Sequence, residues 1–393
     1  MTEILKPQGP KPKPTSAFEK LDEFLRKYFF EPDVQAIRIA LGVMKTHYMS
    51  IGDPPWLFIV APPGSGKTTI TIMGASGLPE VVQVGDLTEN TLLSGFHGAK
   101  EPGMLEKLGT TEQSGNTYTT KGNGVFLVKD FTTVLSMKSE KRAAILGQLR
   151  EIHDGEFKKD FGTGVTKIWK GKVTIVAAVT PALDRHYSIF STLGERFLQI
   201  RWHRPSSEEA GVWAMKQQGK EAEIRKQAQA SVKEIFDNSL NTPPTLPEAM
   251  QERLAALGEV VAIGRTHVYR SGYGNKDIEH VPEPEANTRV SKGMAAIARG
   301  VAALQRHAEV AEEDLQDAMR VGLDCLPVDR RKLLTAVAMG QDPSKVQMSR
   351  SVRERQLEEL TEHGLLGSCG TPKKWRLTPK ADRLISKAKV RLS

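Results

Sequence analysis

The stretch from Trp56 to Thr69 reads WLFIVAPPGSGKTT. Its first five residues, Trp56 to Val60, are all apolar, the pattern of a strand buried on both faces in the middle of a parallel sheet. The chain then turns through Ala61, Pro62, Pro63, Gly64, Ser65, Gly66, Lys67, Thr68 and Thr69, and the following ITIMGASG reads as a helix. A glycine-rich turn between a strand and a helix aims backbone N–H groups at phosphate oxygens. The helix N-terminus adds partial positive charge at the same place. Lys67 is then placed for the β- and γ-phosphates of a nucleotide, and the Thr68 hydroxyl for Mg²⁺. Pro63 to Thr69 is therefore the expected nucleotide-binding turn, with ATP and Mg²⁺ as the expected cofactors. The common form of this turn opens with Gly where this chain has Ala61; the rest of the pattern is intact.

On either side of this stretch the sequence alternates between helical and strand periods. Ala17 to Phe30 places Phe18, Leu21, Phe24, Leu25 and Phe29 at helical spacing, and Asp33 is placed to cap a second helix running to about Met49. Strands are expected at Val81–Val84, Gly124–Val128, Lys172–Val179 and Phe197–Trp202, with a helix over Lys141–Ile152. The expected fold class is α/β, with a parallel sheet covered on both faces. A largely helical region is expected from Ser206 to Asp324, interrupted at Asn241–Pro247 and Gly272–Pro284.

A triphosphate site needs an acid on its metal side, at the tip of a neighbouring strand. Gly124-Val-Phe-Leu-Val-Lys-Asp130 supplies an apolar strand ending in Asp130, with Lys129 where an aspartate is more usual. Asp130 is thus the candidate metal ligand or water-orienting base; its other reading is a cap for the helix beginning at Phe131. With these residues in place, the chain resembles the AAA+ ATPases. The resemblance covers roughly Asp33 to Pro327. It implies that Lys172–Thr180 is the sensor-1 strand, with Thr180 beside the γ-phosphate. Leu193-Gly-Glu-Arg196-Phe197 is similar to the arginine-finger region, so that Arg196 would enter a neighbouring subunit's site, with Arg201 and Arg185 as competitors. The segment from Thr288 is similar to the lid's sensor-2 helix, with Arg289 reaching the nucleotide from above.

Glu156–Phe161 and Val165–Trp169, joined by Gly162-Thr-Gly164, read as a hairpin just before the sensor-1 strand. This placement resembles the pre-sensor-1 hairpin of MCM helicases and NtrC-type activators. It implies DNA contacts from Lys158, Lys159 and Lys167, of the sequence-independent phosphate kind. The stretch Asp86–Gly98 sits where such ATPases carry a pore insertion, with Phe96 and Lys100 as channel candidates. It does not match the GAFTGA loop of transcription activators.

Charge points the same way. The chain carries +8, and residues 329–393 alone hold 15 Lys and Arg against 7 Asp and Glu, which accounts for the whole excess. A basic end on a neutral body suits a polyanion such as DNA. From Asp329 the pattern is helix, turn, helix, hairpin, which resembles a winged helix. Arg350, Arg353 and Arg355 stand early on its third helix, and Lys373, Lys374 and Arg376 on its wing. The expected organisation is a Pro/Lys tail (1–16), an α/β nucleotide-binding core (17–205), a helical lid (206–327) and a winged-helix DNA-binding domain (328–393).

Hydrophobic residues make up 39% of the chain and charged residues 26%, and no stretch approaches the roughly 18 uncharged apolar residues of a membrane helix. Two cysteines, Cys325 and Cys369, lack metal-ligand spacing, and a reducing cytoplasm is the expected compartment. The leading expectation is a DNA-dependent, helicase-like AAA+ motor, forming a homo-oligomer, expected as a hexamer, in replication of a phage or mobile element. The alternatives are an ATP-switched loader recruiting a replication partner, and a winged-helix regulator of transcription or defence.

Overall fold

The computed structural model describes residues 17–64, 77–94, 102–186, 196–203, 207–271, 277–370 and 373–390. The protein is α/β. Helices α1 (Ala17–Tyr28) and α2 (Val34–Tyr48) lead into β1 (Trp56–Val60). Asp33 caps α2, its carboxylate accepting the Ala36 amide at 3.0 Å. A five-stranded parallel sheet follows, with β2 (Val81–Val84), β5 (Gly124–Val128), β8 (Val173–Val179) and β9 (Phe197–Arg201) joining β1 in the order β2-β5-β8-β1-β9.

The apolar runs form central strands because alternate residues enter two separate cores. Leu57, Ile59, Val125, Leu127, Val176, Leu198 and Ile200 face α2 and the C-terminal helices. Trp56, Phe58, Val60, Phe126, Val128, Ile175 and Val179 face the opposite side. There α3 (Thr132–Leu135) and α4 (Ser139–His153) pack, and Phe58 stacks on Phe197 with ring centroids 3.9 Å apart.

A second sheet has the order β3-β4-β7-β6, from β3 (Gly109–Ser114), β4 (Thr117–Gly122), β6 (Glu156–Asp160) and β7 (Thr166–Lys170). The β6–β7 hairpin matches the expectation; the β3–β4 hairpin is additional. Its strands read GTTEQS and TYTTKG, which offer no apolar alternation to find. β4 pairs in parallel with β7, fusing the two hairpins into one unit.

Beyond β9 come α5 (Glu208–Lys216), α6 (Glu221–Asp237), α7 (Glu248–Arg265), a two-stranded ribbon of β10 (Tyr269–Ser271) and β11 (Asp277–His280), then α8 (Thr288–Leu304) and α9 (Glu312–Asp324). Helix α8 lies directly on α2. A Cβ added to Gly42 would stand 2.6 Å from Val301 Cγ2, and one added to Gly300 would stand 2.1 Å from the Gly42 carbonyl oxygen. The glycine pair is what permits the close crossing, and that crossing fixes where α8 begins.

The C-terminal part is α10 (Val328–Ala338), a 3₁₀ turn (Pro343–Lys345), α11 (Arg350–Glu362), a hairpin of β12 (Leu366–Cys369) and β13 (Lys374–Leu377), and α12 (Pro379–Ala388). The expected order of helix, turn, helix and hairpin is present, and α12 follows it. The expected boundaries after residues 205 and 327 do not divide the core: one buried cluster runs from Leu21 through Leu254 and Leu333 to Ala388. Arg330, 3% exposed, ties the parts together, donating to the carbonyls of Gly264 and Thr266 and pairing with Glu359 at 2.6 Å. Among the described residues, no helix is long and apolar enough to cross a membrane.

Candidate functional site

All five strands of the main sheet point the same way, so their carboxyl ends form one edge, where loops converge. β1 ends there in the turn Ala61–Gly64. The Ala61 amide donates to the Val179 carbonyl at 3.0 Å, and Pro62, Pro63 and Gly64 are exposed. Gly64 has φ +73° with open space around its α-carbon, so glycine is required there for its backbone angle and not for room. Ser65, Gly66, Lys67, Thr68 and Thr69 lie outside the described residues, as do Phe96 and Lys100.

Asp130 and Thr180 stand at this same edge. Asp130 follows β5, and one carboxylate oxygen accepts the Thr132 amide at 2.9 Å, while the Thr133 hydroxyl donates to the Asp130 carbonyl at 3.0 Å. Thr180 directly follows β8, and its amide donates to the Thr132 hydroxyl at 3.1 Å. Thr132 therefore ties the acid's loop to the tip of β8. Asp130 is exposed; one carboxylate oxygen holds the first amide of α3, and its other oxygen has no partner among the described residues.

The sequence reading puts the acid on the strand beside β1. The structure instead places β8 between them, paired with β5 on one side and β1 on the other. Two strand spacings, about 10 Å, therefore separate the Asp130 strand from the Ala61 strand. That gap is bridged at its midpoint by Thr180.

Arg201 also reaches this edge, but it is engaged. It forms a two-pronged pair with Asp184 at 2.7 and 3.0 Å, and its backbone amide donates to Asp324 at 2.8 Å. Arg320 joins the same network, paired with Asp33 at 2.5 Å and donating to the Arg201 carbonyl at 3.0 Å. Burial raises the Asp33 carboxyl, but Arg320 and the amides of His203 and Ala36 outweigh it and hold it below its ordinary value. Sequence reasoning misses this network because its members are scattered over Asp33, Asp184, Arg201, Arg320 and Asp324, with no spacing to reveal them. The side chain of Arg185 lies outside the described residues.

Arg196 and Arg289 are found together, and at the opposite edge. Arg196 immediately precedes β9, whose first residue pairs with Trp56, the first residue of β1. A five-residue strand, about 16 Å long, separates it from the Gly64 end. It pairs with Asp154 at 3.1 Å and is largely covered, while Asp154 is exposed. His153 beside it packs edge-on against Trp56; burial and the nearby Arg196 charge keep its imidazole below the ordinary histidine value. Arg289 sits at the start of α8 and pairs with Glu285 at 2.7 Å. Both arginines line one cleft with Ile51–Pro55. α8 runs antiparallel to α2, which puts Arg289 at the amino edge, beside the residues that follow α2 and a strand length from the Gly64 turn.

The hairpin lysines divide. Lys158 is exposed, with Asp160 3.5 Å away. Lys159 donates to the Glu89 carbonyl at 2.5 Å and to Asn90 at 3.0 Å. Lys167 is buried and paired with Glu106 at 2.7 Å, which corrects its expected role as a DNA contact. Strand alternation is the reason: Phe157, Lys159, Lys167 and Trp169 share the inward face, and Lys158 the outward one.

In the C-terminal part, Arg350 is exposed and pairs with Glu354 on its own helix, and Arg355 is exposed. Arg353 donates to the carbonyls of Val346 and Met348, so it holds the turn ahead of α11 and is not a free surface cation. Lys373, Lys374 and Arg376 are exposed on the hairpin, with Lys373 over the Trp375 ring. No protein-family model matches the chain, and no curated protein matches it.

Proposed function

We propose that the protein is an ATPase of the AAA+ type that assembles into a ring and acts on DNA. The observation that carries this reading is the convergence, at the carboxyl edge of a parallel sheet, of the Gly64 turn, Asp130 and Thr180. A positive-φ glycine after a buried strand, an exposed carboxylate and a polar strand tip are what a triphosphate and its metal need. The residues present fit ATP-Mg²⁺: Gly64 to Thr69 would hold the phosphates, with Thr68 and Asp130 on the metal side. The metal, when bound, supplies neutralisation of charge on the transferring phosphoryl group.

The chain's own groups do the rest. Lys67 provides a cation for the phosphates, and Asp130 orients a water through the carboxylate oxygen that does not hold the Thr132 amide. Thr132 keeps Asp130 and Thr180 in register. Arg196 and Arg289 lie a full strand length from Gly64, so a phosphate they reach belongs to a neighbouring subunit. That supports a ring in which each site is completed in trans, and it moves Arg289 to the same side as Arg196.

DNA as the partner is supported by the basic C-terminal end and by its order of two helices, a hairpin and a last helix, which resembles a winged helix. Arg350, Arg355, Lys373, Lys374 and Arg376 are among its exposed cations. A second reading, an ATP-switched loader with little turnover, is favoured by one observation: the strand tip offers Lys129 and Asp130 instead of two acids, and Asp130 already serves as a cap. ATP hydrolysis by the full chain and by Lys67→Ala, with and without single- and double-stranded DNA, tests the proposal. Turnover that is lost in Lys67→Ala and stimulated by DNA is expected; unchanged turnover in Lys67→Ala refutes the nucleotide site. Unwinding of a forked duplex separates motor from loader.

A further inference from the structure

The cleft at the amino edge has a volume of about 370 Å³. Helix α8 contributes Arg289, Lys292 and Arg299 to it, at positions i, i+3 and i+10, which fall on one face of a helix. Between them the lining residues are Val290, Gly293, Ala295 and Ala296, of which only Val290 carries more than a methyl group. On the opposite wall stand Arg196, His153 and Asp53. Arg196 and Arg289 have acidic partners, Asp154 and Glu285. Lys292 and Arg299 have none among the described residues, although Arg299 is only partly exposed. A guanidinium drawn partly out of water keeps five N–H donors to satisfy, and Asp53 is the lining's single acid.

We propose that this cleft is a phosphate-binding site in which Lys292 and Arg299 hold a phosphate group, separate from any held at the same subunit's Gly64 turn. Two cations two helical turns apart, over a floor of alanine and glycine, suit an oligophosphate. One phosphate chain on a single subunit cannot serve both sites, because the length of β1 lies between them. The phosphate has two sources: a free oligophosphate, or the terminal phosphate of a nucleotide on a neighbouring copy. The second source rests on the ring assembly proposed above; the first does not.

The test uses the full chain carrying Lys67→Ala, which disables the carboxyl-edge site, with tripolyphosphate as the probe in calorimetric titrations at low salt. Binding should persist in this background. It should weaken about tenfold or more when Lys292→Ala and Arg299→Ala are added, and return in Lys292→Arg with Arg299→Lys, because each charge-assisted hydrogen bond to a phosphate is worth about a factor of ten. The conservative pair also guards against a folding defect, checked by thermal midpoints. If Lys67→Ala chains bind no tripolyphosphate, the neighbouring-copy source is read from chains with Lys67 intact. ATP-dependent assembly in sedimentation should then be weaker in the double alanine variant. Equal tripolyphosphate binding and equal ATP-dependent assembly in the double variant and its parent overturn the proposal. Neither result bears on hydrolysis at Lys67, so failure here is distinct from failure of the ATPase reading.

Discussion

The hydroxyl of Thr132 accepts the backbone N–H of Thr180 at 3.1 Å and lies 3.4 Å from the Thr180 hydroxyl, joining the start of α3 to the tip of β8. Thr132→Val keeps the shape and removes the acceptor. The Thr180 amide, partly buried, then loses its partner at a cost of about 1–3 kcal/mol. Thermal unfolding should show that loss, and ATP turnover should fall with it, since Asp130 and Thr180 would no longer be held together. Full activity with the lower stability would mean that the link is structural only.

Asp130→Asn separates the two roles of the acid. The amide oxygen of asparagine still accepts the Thr132 N–H, so the cap survives and stability should change by less than about 0.5 kcal/mol. Hydrolysis should fall about 10²–10⁴-fold if Asp130 orients the attacking water. Turnover equal to the parent's leaves Asp130 as a cap and nothing more.

Lys167 and Lys158 lie on opposite faces of one hairpin and should behave oppositely. Lys167→Ala leaves Glu106, itself 10% exposed, without its cation, and should cost about 3–5 kcal/mol. Lys158→Ala removes an exposed pair worth at most about 1 kcal/mol. If the hairpin touches DNA, Lys158→Ala should reduce the salt dependence of DNA affinity by roughly 0.7–0.9 for each phosphate that Lys158 neutralises. A marginal loss of stability in Lys167→Ala would contradict its buried pairing.

The strands are legible because burial on both faces leaves a signature, runs such as WLFIV and VTIVAAV, that no charged residue interrupts. The cap at Asp33 is legible because capping is local in sequence. Lys158, Lys159 and Lys167 look alike because composition does not tell which strand face a lysine takes. That depends on register, which the β3–β4 hairpin helps to set through its pairing with β7. The sequence does not tell at which edge of the sheet Arg289 stands, for a related reason. Its helical period is plain, but the direction in which α8 crosses α2 depends on the approach of Gly42 to Gly300, positions far apart in the chain. Composition suggests the domain boundaries, whereas the core follows apolar packing, and Arg330 binds α10 to the end of α7 across the expected division.

Asp33 carries a pH prediction. Its folded carboxyl lies below the ordinary value of 3.8. A depressed carboxyl stabilises the fold fully above its unfolded value, and that stabilisation is lost as pH falls through the folded value. Asp33→Asn retains the cap of α2 but removes the carboxylate that Arg320 pairs with at 2.5 Å, leaving it the longer ion pair with Asp324 at 3.8 Å. It should cost about 3–5 kcal/mol at neutral pH. The gap between parent and variant should close as pH falls below about 4. Denaturant midpoints across that range provide the measurement, and a gap independent of pH would show that the pair contributes nothing through its charge.

Arg196→Ala tests assembly. Its partner Asp154 is 64% exposed, so the loss leaves a solvated acid and little destabilisation beyond the arginine's own packing. ATP binding should survive because Gly64 lies at the far edge of the sheet, while turnover should drop about 10³-fold or more for a phosphate-contacting arginine supplied in trans. Lys67→Ala chains should be inactive for the complementary reason, having an intact Arg196 but a disabled phosphate turn. Mixing the two inactive variants places some intact turns beside intact arginines. Turnover should therefore reappear, rising and falling with the mixing ratio and greatest near equal amounts. Arg289→Ala, mixed in the same way with Lys67→Ala, should behave alike, because α8 holds it on the same cleft as Arg196. Mixtures that stay inactive at every ratio would place the two arginines outside the catalytic step.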